Sequence, residues 1–262
     1  MRVLVTGASS GIGLQYAEIL ARDYHADLLL VSNQEEALQV AAQRLSADYG
    51  IQADALCMDL AQLESARNLY QYACERKLEI EVLVNDAGFF FFDEFVQVPL
   101  ERIESMLLLH MVTLTELTRL FGADMCRRGH GYVLNMSSMS AWMPYPGLQV
   151  YNATKAYVYN FTRSIRPEFR LHGVKVTVVT PGAVDTPLYG LSPKYRQLAV
   201  RLHLCVTPDK LASRALKALF AGRKRCMLGL VNYLIKPFCY LLPDPLVYAI
   251  IQRIAKKRWN HK

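Results

Sequence analysis

At 262 residues, with 52% apolar and 20% charged side chains, the chain is long and apolar enough for one domain with a large core. Its net charge of +7 divides unevenly: residues 194–262 carry fifteen Lys/Arg against two Asp/Glu, a net of +13, which leaves −6 on the first 193. The basic end attracts anions, but its cations are not interleaved with stacking aromatics, which excludes nucleic acid as a partner. Six cysteines, with no C-x-x-C pair, read as free thiols of a reducing compartment, and no metal site is expected.

Residues 2–6 are a short β-branched run, a buried strand. It starts directly after Met1, so no signal peptide is expected and a cytoplasmic location follows. The strand ends in Thr6-Gly7-Ala8-Ser9-Ser10-Gly11-Ile12-Gly13, and helical periodicity runs over 14–21. Strand, glycine-rich turn and helix, in that order, begin a dinucleotide-binding unit. Gly7 permits the tight turn. Gly11 and Gly13 let backbone N–H groups and the helix N-terminus approach a pyrophosphate. Thr6, Ser9, Ser10 and Ile12 belong to the same motif and are assigned to the cofactor with it. The spacing is Gly-x-x-x-Gly-x-Gly, not the commoner Gly-x-Gly-x-x-Gly.

Residues 27–32 are a second strand, followed by Ser32-Asn33-Gln34. An acidic residue here would hydrogen-bond the adenosine 2′-hydroxyl. With no acid to repel a 2′-phosphate, Asn33 favours NADP(H) over NAD(H), although no arginine seals the choice. Residues 35–49 read as a helix and 51–57 as a third strand. Asp59 stands either to accept from the adenine amino group or to cap a helix. A helix over 62–76 and a strand over 81–84 lead into Asn85-Asp86-Ala87-Gly88. The small residues Ala87 and Gly88 let the strand end approach the cofactor ribose.

Phe89 to Phe92, with Phe95, have two readings: aromatics packing under the next helix, or an apolar wall near a substrate mouth. A long amphipathic helix covers 100–127, a fifth strand 131–137, and a sixth 174–180, ending in Pro181-Gly182-Ala183-Val184-Asp185-Thr186. Strand–helix alternation without repeats predicts an α/β fold with a doubly wound parallel sheet (Rossmann fold). It occupies residues 1–222, ahead of a C-terminal helical extension over 223–262.

Tyr151 and Lys155 lie one turn apart on one helix face. A phenol titrates near 10 in water and is a poor acid or base at neutral pH. A neighbouring ammonium favours the phenolate and tunes the pair toward the working pH. The hydroxyl of Ser138, at a strand end, can hold a carbonyl or alcohol oxygen beside the phenol. Such a set suits proton transfer coupled to hydride transfer.

Together, the 6–13 motif, Asn85-Asp-Ala-Gly88, Ser138, Tyr151-x-x-x-Lys155 and Pro181-Gly-x-Val-x-Thr186 resemble the short-chain dehydrogenase/reductase family in its single-domain branch, over residues 1 to about 220. The resemblance implies NAD(P)-dependent interconversion of an alcohol and a carbonyl. Tyr151 would be the general acid/base, Lys155 would hold the nicotinamide ribose, and Ser138 would orient the substrate oxygen. Residues from Pro181 to Thr186, among them Gly182 and Val184, would contact the nicotinamide amide, and residues 188–204 would form a substrate lid. A homodimer or homotetramer is expected on the same ground. The chain departs from the family twice. Asp86 replaces a second asparagine. His110 falls where the family's fourth catalytic residue, an asparagine supporting a proton-relaying water, would stand. His110 then serves the relay by its ring or its backbone carbonyl, or marks a slowed activity.

Residues 231–242 and 246–254 are apolar but too short to span a bilayer. With the flanking basic triplets at 223–225 and 256–258, they suit interfacial helices on an anionic membrane, or helices packed on the domain or a second subunit. Two functions follow from these readings. One is an oxidoreductase for a hydrophobic ketone or alcohol, such as a steroid, a 3-oxoacyl chain or a lipid aldehyde. The other is a catalytically weak, membrane-associated nucleotide-binding protein.

Overall fold

A computed structural model describes residues 1–143, 147–185 and 205–228, with six positions between 243 and 252. The chain alternates β1 (Arg2–Thr6), α1 (Gly11–Tyr24), β2 (Asp27–Ser32), α2 (Glu35–Tyr49), β3 (Ala53–Cys57), α3 (Ser65–Glu75) and β4 (Val82–Asn85). Next come α4 (Leu100–Leu107), a π turn (Leu108–Thr113), α5 (Leu114–Arg128), β5 (Gly131–Met136), α6 (Gln149–Leu171) and β6 (Val174–Pro181). The short strands β7 (Ala183–Val184) and β8 (Cys205–Val206) pair with each other. They are followed by α7 (Pro208–Phe220) and β9 (Arg225–Leu228).

Seven parallel strands form one sheet in the order β3-β2-β1-β4-β5-β6-β9. Parallel strands covered on both faces need apolar side chains on both sides. In β1, Val3 and Val5 enter one core with α1, α2 and α7, whereas Leu4 enters the other with α3, α5 and α6. Strand order reverses between β1 and β4, so a crevice opens beyond their C-terminal ends. Ligands of such sheets bind there. All the catalytic and glycine motifs lie at that end.

Several boundaries differ from the periodicity. Helix α1 begins at Gly11 rather than 14, because the end of the glycine motif supplies its first turn. Helix α3 begins at Ser65, because Asp59 ties residues 59–62 into a turn of their own. The long helix is broken by the π turn that carries His110. Strand β9 pairs with β6, so the domain boundary expected after residue 222 falls inside the sheet. The first unit runs at least to Leu228. The segment from Leu100 to Arg128 is long and apolar enough to cross a membrane by composition. In the fold, however, its Met106, Leu117, Phe121 and Met125 are buried core.

Candidate active site

The crevice is shaped first by glycine. Gly7 has φ +73°, and a Cβ there would lie 2.9 Å from the Ala87 Cα. A Cβ on Gly13 would lie 2.2 Å from the Gly7 carbonyl oxygen. Gly7 is therefore needed for left-handed backbone and close approach to the end of β4, and Gly13 for folding α1 back on its own entry turn. Gly13 packs beneath the turn instead of facing the cleft. Thr6 and Asn85 are likewise turned to the scaffold. The Thr6 hydroxyl donates to the Val84 carbonyl at 3.3 Å and accepts from the N–H groups of Asp86 and Ala87, each at 3.1 Å. The Asn85 amide donates to Asn135 at 2.8 Å and to Thr118 at 3.2 Å. These bonds clamp β1, β4 and β5 under the crevice floor, and neither side chain lines a cleft.

Two adjoining clefts, each of about 420 Å³, share Gly7, Ser10, Ala87, Gly88 and Phe89. The inner one is lined also by Gly11, Ile12, Asp86, Ser138, Tyr151, Lys155, Pro181, Gly182 and Val184. The outer one holds Ser9, Asn33 and Asp59. A long groove with a glycine turn and a helix N-terminus at its middle fits a dinucleotide: adenosine outward, pyrophosphate over the turn, nicotinamide beside Tyr151. Ser9 and Ser32 share a 2.9 Å hydrogen bond in the outer cleft. Asp59 accepts from the Ala61 N–H at 3.0 Å and from the Gln62 amide at 2.8 Å while lining the groove. It caps a local turn, not a helix. Asn33 is exposed at the rim, and that cleft's lining holds no acid besides Asp59 and no Lys or Arg.

Helix α6 carries Tyr151 and Lys155 to the floor, and β5 delivers Ser138. The Lys155 ammonium is buried, donates to the Met136 carbonyl at 3.0 Å and lies 5.5 Å from the centre of the Tyr151 ring. The Ser137 hydroxyl donates to the Lys155 carbonyl at 2.7 Å, tying β5 to α6. Ser138 Oγ accepts from the Ser140 N–H at 3.2 Å and lines the inner cleft with Tyr151.

His110 is buried behind Tyr151, with the two ring centres 5.9 Å apart. Its Nε2 accepts from the Phe89 N–H at 3.2 Å, and its Nδ1 lies 2.9 Å from the Thr154 hydroxyl. That hydroxyl donates to the Tyr151 carbonyl at 2.8 Å. An accepting Nε2 makes Nδ1 the protonated nitrogen of a neutral ring, which then donates to Thr154. Burial and the Lys155 charge hold the imidazole well below its usual pKa. The ring lines neither cleft. Burial also lowers Lys155 to about 8 against an opposing pull from Asp86, and raises Asp86 to about 7 against Lys155 and a hydrogen bond from the Gly13 backbone.

Beyond Tyr151 opens an apolar cavity of about 280 Å³, lined by Phe90, Phe92, Met139, Met143, Leu148, Asn152 and Ala183 with Ser138, Ser140 and Tyr151. The phenylalanine run divides between core and cavity. Phe91 is buried with Val98 and Met106 under α4, while Phe90 and Phe92 form the cavity wall. Periodicity could not find Met139, Met143 or Leu148, because no motif marks them. Thr154, inside the Tyr-x-x-x-Lys spacing, gave no signal of its own. Thr186 and the lid expected over 188–204 lie outside the described residues. Among the described residues there is no cluster of His, Cys, Asp or Glu that could hold a metal.

Fold and groove together define a dinucleotide-dependent oxidoreductase with a tyrosine–lysine pair at its centre. A family profile described as "short chain dehydrogenase" matches residues 1–195, and the chain belongs to that family of NAD(P)-dependent oxidoreductases acting on CH–OH and C=O groups. It is 33% identical over 189 residues to the very-long-chain 3-oxoacyl-CoA reductase-A of Danio rerio, a match covering 71% of this chain and 58% of that one. It is 30% identical over 264 residues to the 17-beta-hydroxysteroid dehydrogenase type 3 of Mus musculus, covering 98% and 81%. Thus the chain spans less than two thirds of the first relative but most of the second. Among solved structures, a short-chain dehydrogenase from Sphingobium yanoikuyae in complex with NADPH superposes with a TM-score of 0.78 at 28% identity, over 93% of this chain and 96% of that one.

Proposed function

We propose that the chain is an NADP(H)-dependent reductase, or in reverse a dehydrogenase, of a bulky hydrophobic carbonyl compound. The observation that carries this reading is the apolar cavity of about 280 Å³ whose wall ends at Tyr151 and Ser138. Phe90, Phe92, Met139, Met143 and Leu148 match an aliphatic chain or fused rings and offer nothing to a sugar or a charged substrate. The relatives' names, a 3-oxoacyl-CoA reductase and a hydroxysteroid dehydrogenase, are of this chemical class.

Backbone N–H groups of the Gly7–Ile12 turn would hold the pyrophosphate, and Lys155 with the Ala87–Gly88 strand end the nicotinamide ribose. The bound cofactor supplies a hydride to the carbonyl carbon. Ser138 holds the carbonyl oxygen by donating to it. Tyr151 gives its phenolic proton to that oxygen as the alcohol forms, and the Lys155 ammonium stabilises the phenolate left behind. In oxidation the same groups run in reverse. Asn33 supports NADP(H), because no carboxylate stands at its position to repel a 2′-phosphate.

A second reading, a nucleotide-binding protein with weak turnover, is favoured by one observation: both nitrogens of His110 are engaged locally and the ring is closed off from the groove. Consumption of NADPH and NADH, measured against ketones, aldehydes and 3-oxoacyl thioesters for the native protein and His110→Asn, separates the two. Turnover by the native protein supports the reductase. Tight cofactor binding with turnover only in the variant supports the second reading. For segment 223–262 we assign a peripheral contact with anionic lipid, resting on its basic charge. Co-sedimentation with phosphatidylserine vesicles, absent with phosphatidylcholine alone, tests it.

A further inference from the structure

We propose that Asp86 is a positioning residue for the reaction: its carboxylate, anchored on the first turn of α1, acts on the Lys155 ammonium across the cleft floor and sets the pH range over which Tyr151 donates. The inference rests on the reading of the chain as a Tyr151-dependent oxidoreductase.

The placement is built rather than incidental. The Asp86 N–H is held by the Thr6 hydroxyl at 3.1 Å. Its carboxylate accepts from the Gly13 N–H, and a Cβ on Gly13 would lie 3.0 Å from Oδ2. The carboxylate therefore fills the place that glycine leaves open at the helix N-terminus, where a negative charge is favoured. Asp86 lines the same inner cleft as Lys155 and Tyr151.

Among the described residues, the groups near it are few. Lys155 acts on it from α6 and the buried phenol of Tyr16 lies near it on α1, while Tyr151 lines the same cleft and the neutral His110 sits near Lys155. Lys155 is the cation that acts on Asp86. An amide at this position would bond Gly13 equally well but would leave the buried ammonium unanswered. A carboxylate keeps Lys155 cationic to a higher pH, and it does so only once it has itself ionised. Burial raises the carboxyl to about 7 and lowers the ammonium to about 8, each shift opposed by the charge of the other group.

The direction follows. Carbonyl reduction needs a protonated Tyr151 beside a charged Lys155. Removing the negative charge lets both lose their protons at lower pH. In Asp86→Asn the alkaline limb of kcat/KM for carbonyl reduction therefore moves to lower pH by about 1 unit. An inflection near neutrality, present in the native profile, disappears. An unchanged limb overturns the proposal. If the variant does not fold, a native profile flat between pH 6 and pH 8 overturns it.

Thermal unfolding supplies a readout that needs no substrate. An acid whose pKa is raised on folding binds more protons in the native state than in the unfolded one. The stability it contributes is present at low pH and is lost as pH rises from the ordinary carboxyl range through about 7. The Tm of the native protein should fall relative to Asp86→Asn between pH 5 and pH 8. A constant difference overturns the charged role of Asp86 even if no substrate is found, and a falling difference without turnover leaves Asp86 standing while the reductase reading fails.

Discussion

The Nδ1 of His110 lies 2.9 Å from the Thr154 hydroxyl, and that hydroxyl donates to the carbonyl of Tyr151 at 2.8 Å. The imidazole thus ties the loop at Phe89, the π turn and the first turn of α6 into one unit around the phenol. His110→Ala leaves the Phe89 N–H without its acceptor in a buried place and should cost about 1–3 kcal/mol of stability. Denaturant unfolding measures this, and a loss below about 0.5 kcal/mol would show the ring to be dispensable.

Tyr151→Phe keeps the ring that packs on Phe90 and His110 but removes the proton. Turnover should drop by about 10²–10⁴-fold, while NADPH binding, followed by its fluorescence, stays as in the native protein. Retained turnover would move the acid to another group.

Gly13→Ala sets a methyl 2.2 Å from the Gly7 oxygen, a backbone atom that cannot yield without displacing the turn. The variant should lose NADPH affinity and melt at lower temperature. Unchanged affinity would separate the turn from the cofactor site.

Phe92→Ala removes part of the cavity wall. KM for a bulky ketone should rise about 10-fold, with little change for a small one. Equal changes for both would place the substrate elsewhere.

Asn33→Asp installs a carboxylate where a 2′-phosphate would lie. The ratio of NADPH to NADH efficiency should fall by about 10-fold or more through like-charge repulsion. An unmoved ratio would reject Asn33 as the discriminating position.

The order of strands and helices, the glycine turn and the tyrosine–lysine spacing were legible in the chain because each is local. Continuous apolar runs report burial on both faces of a strand, and a helical spacing of four puts Tyr151 and Lys155 on one side. Element ends were less legible. The turn at 59–62 and the π turn depend on hydrogen bonds to side chains that periodicity does not see. The strand at 225–228 fell inside the expected C-terminal extension, because partnership with β6 is a contact across 47 residues. Thr6, Asn85 and Gly13 were assigned to the cofactor by their motifs, yet the fold spends their atoms on the scaffold beneath it.

Residue types and spacing alone determined that this chain makes a doubly wound sheet, carries a dinucleotide turn and presents a phenol beside an ammonium. Only the tertiary structure decided that Phe90 and Phe92 face a cavity while Phe91 faces the core, that the His110 ring is held by Phe89 and Thr154, and that the Asp86 carboxylate sits at the first turn of α1 in the cleft that Lys155 also lines. The reason is physical. Periodicity and turn chemistry act within a few residues, whereas the polarity and charge felt at Tyr151 are set by groups that meet only when β4, the π turn and α6 pack together.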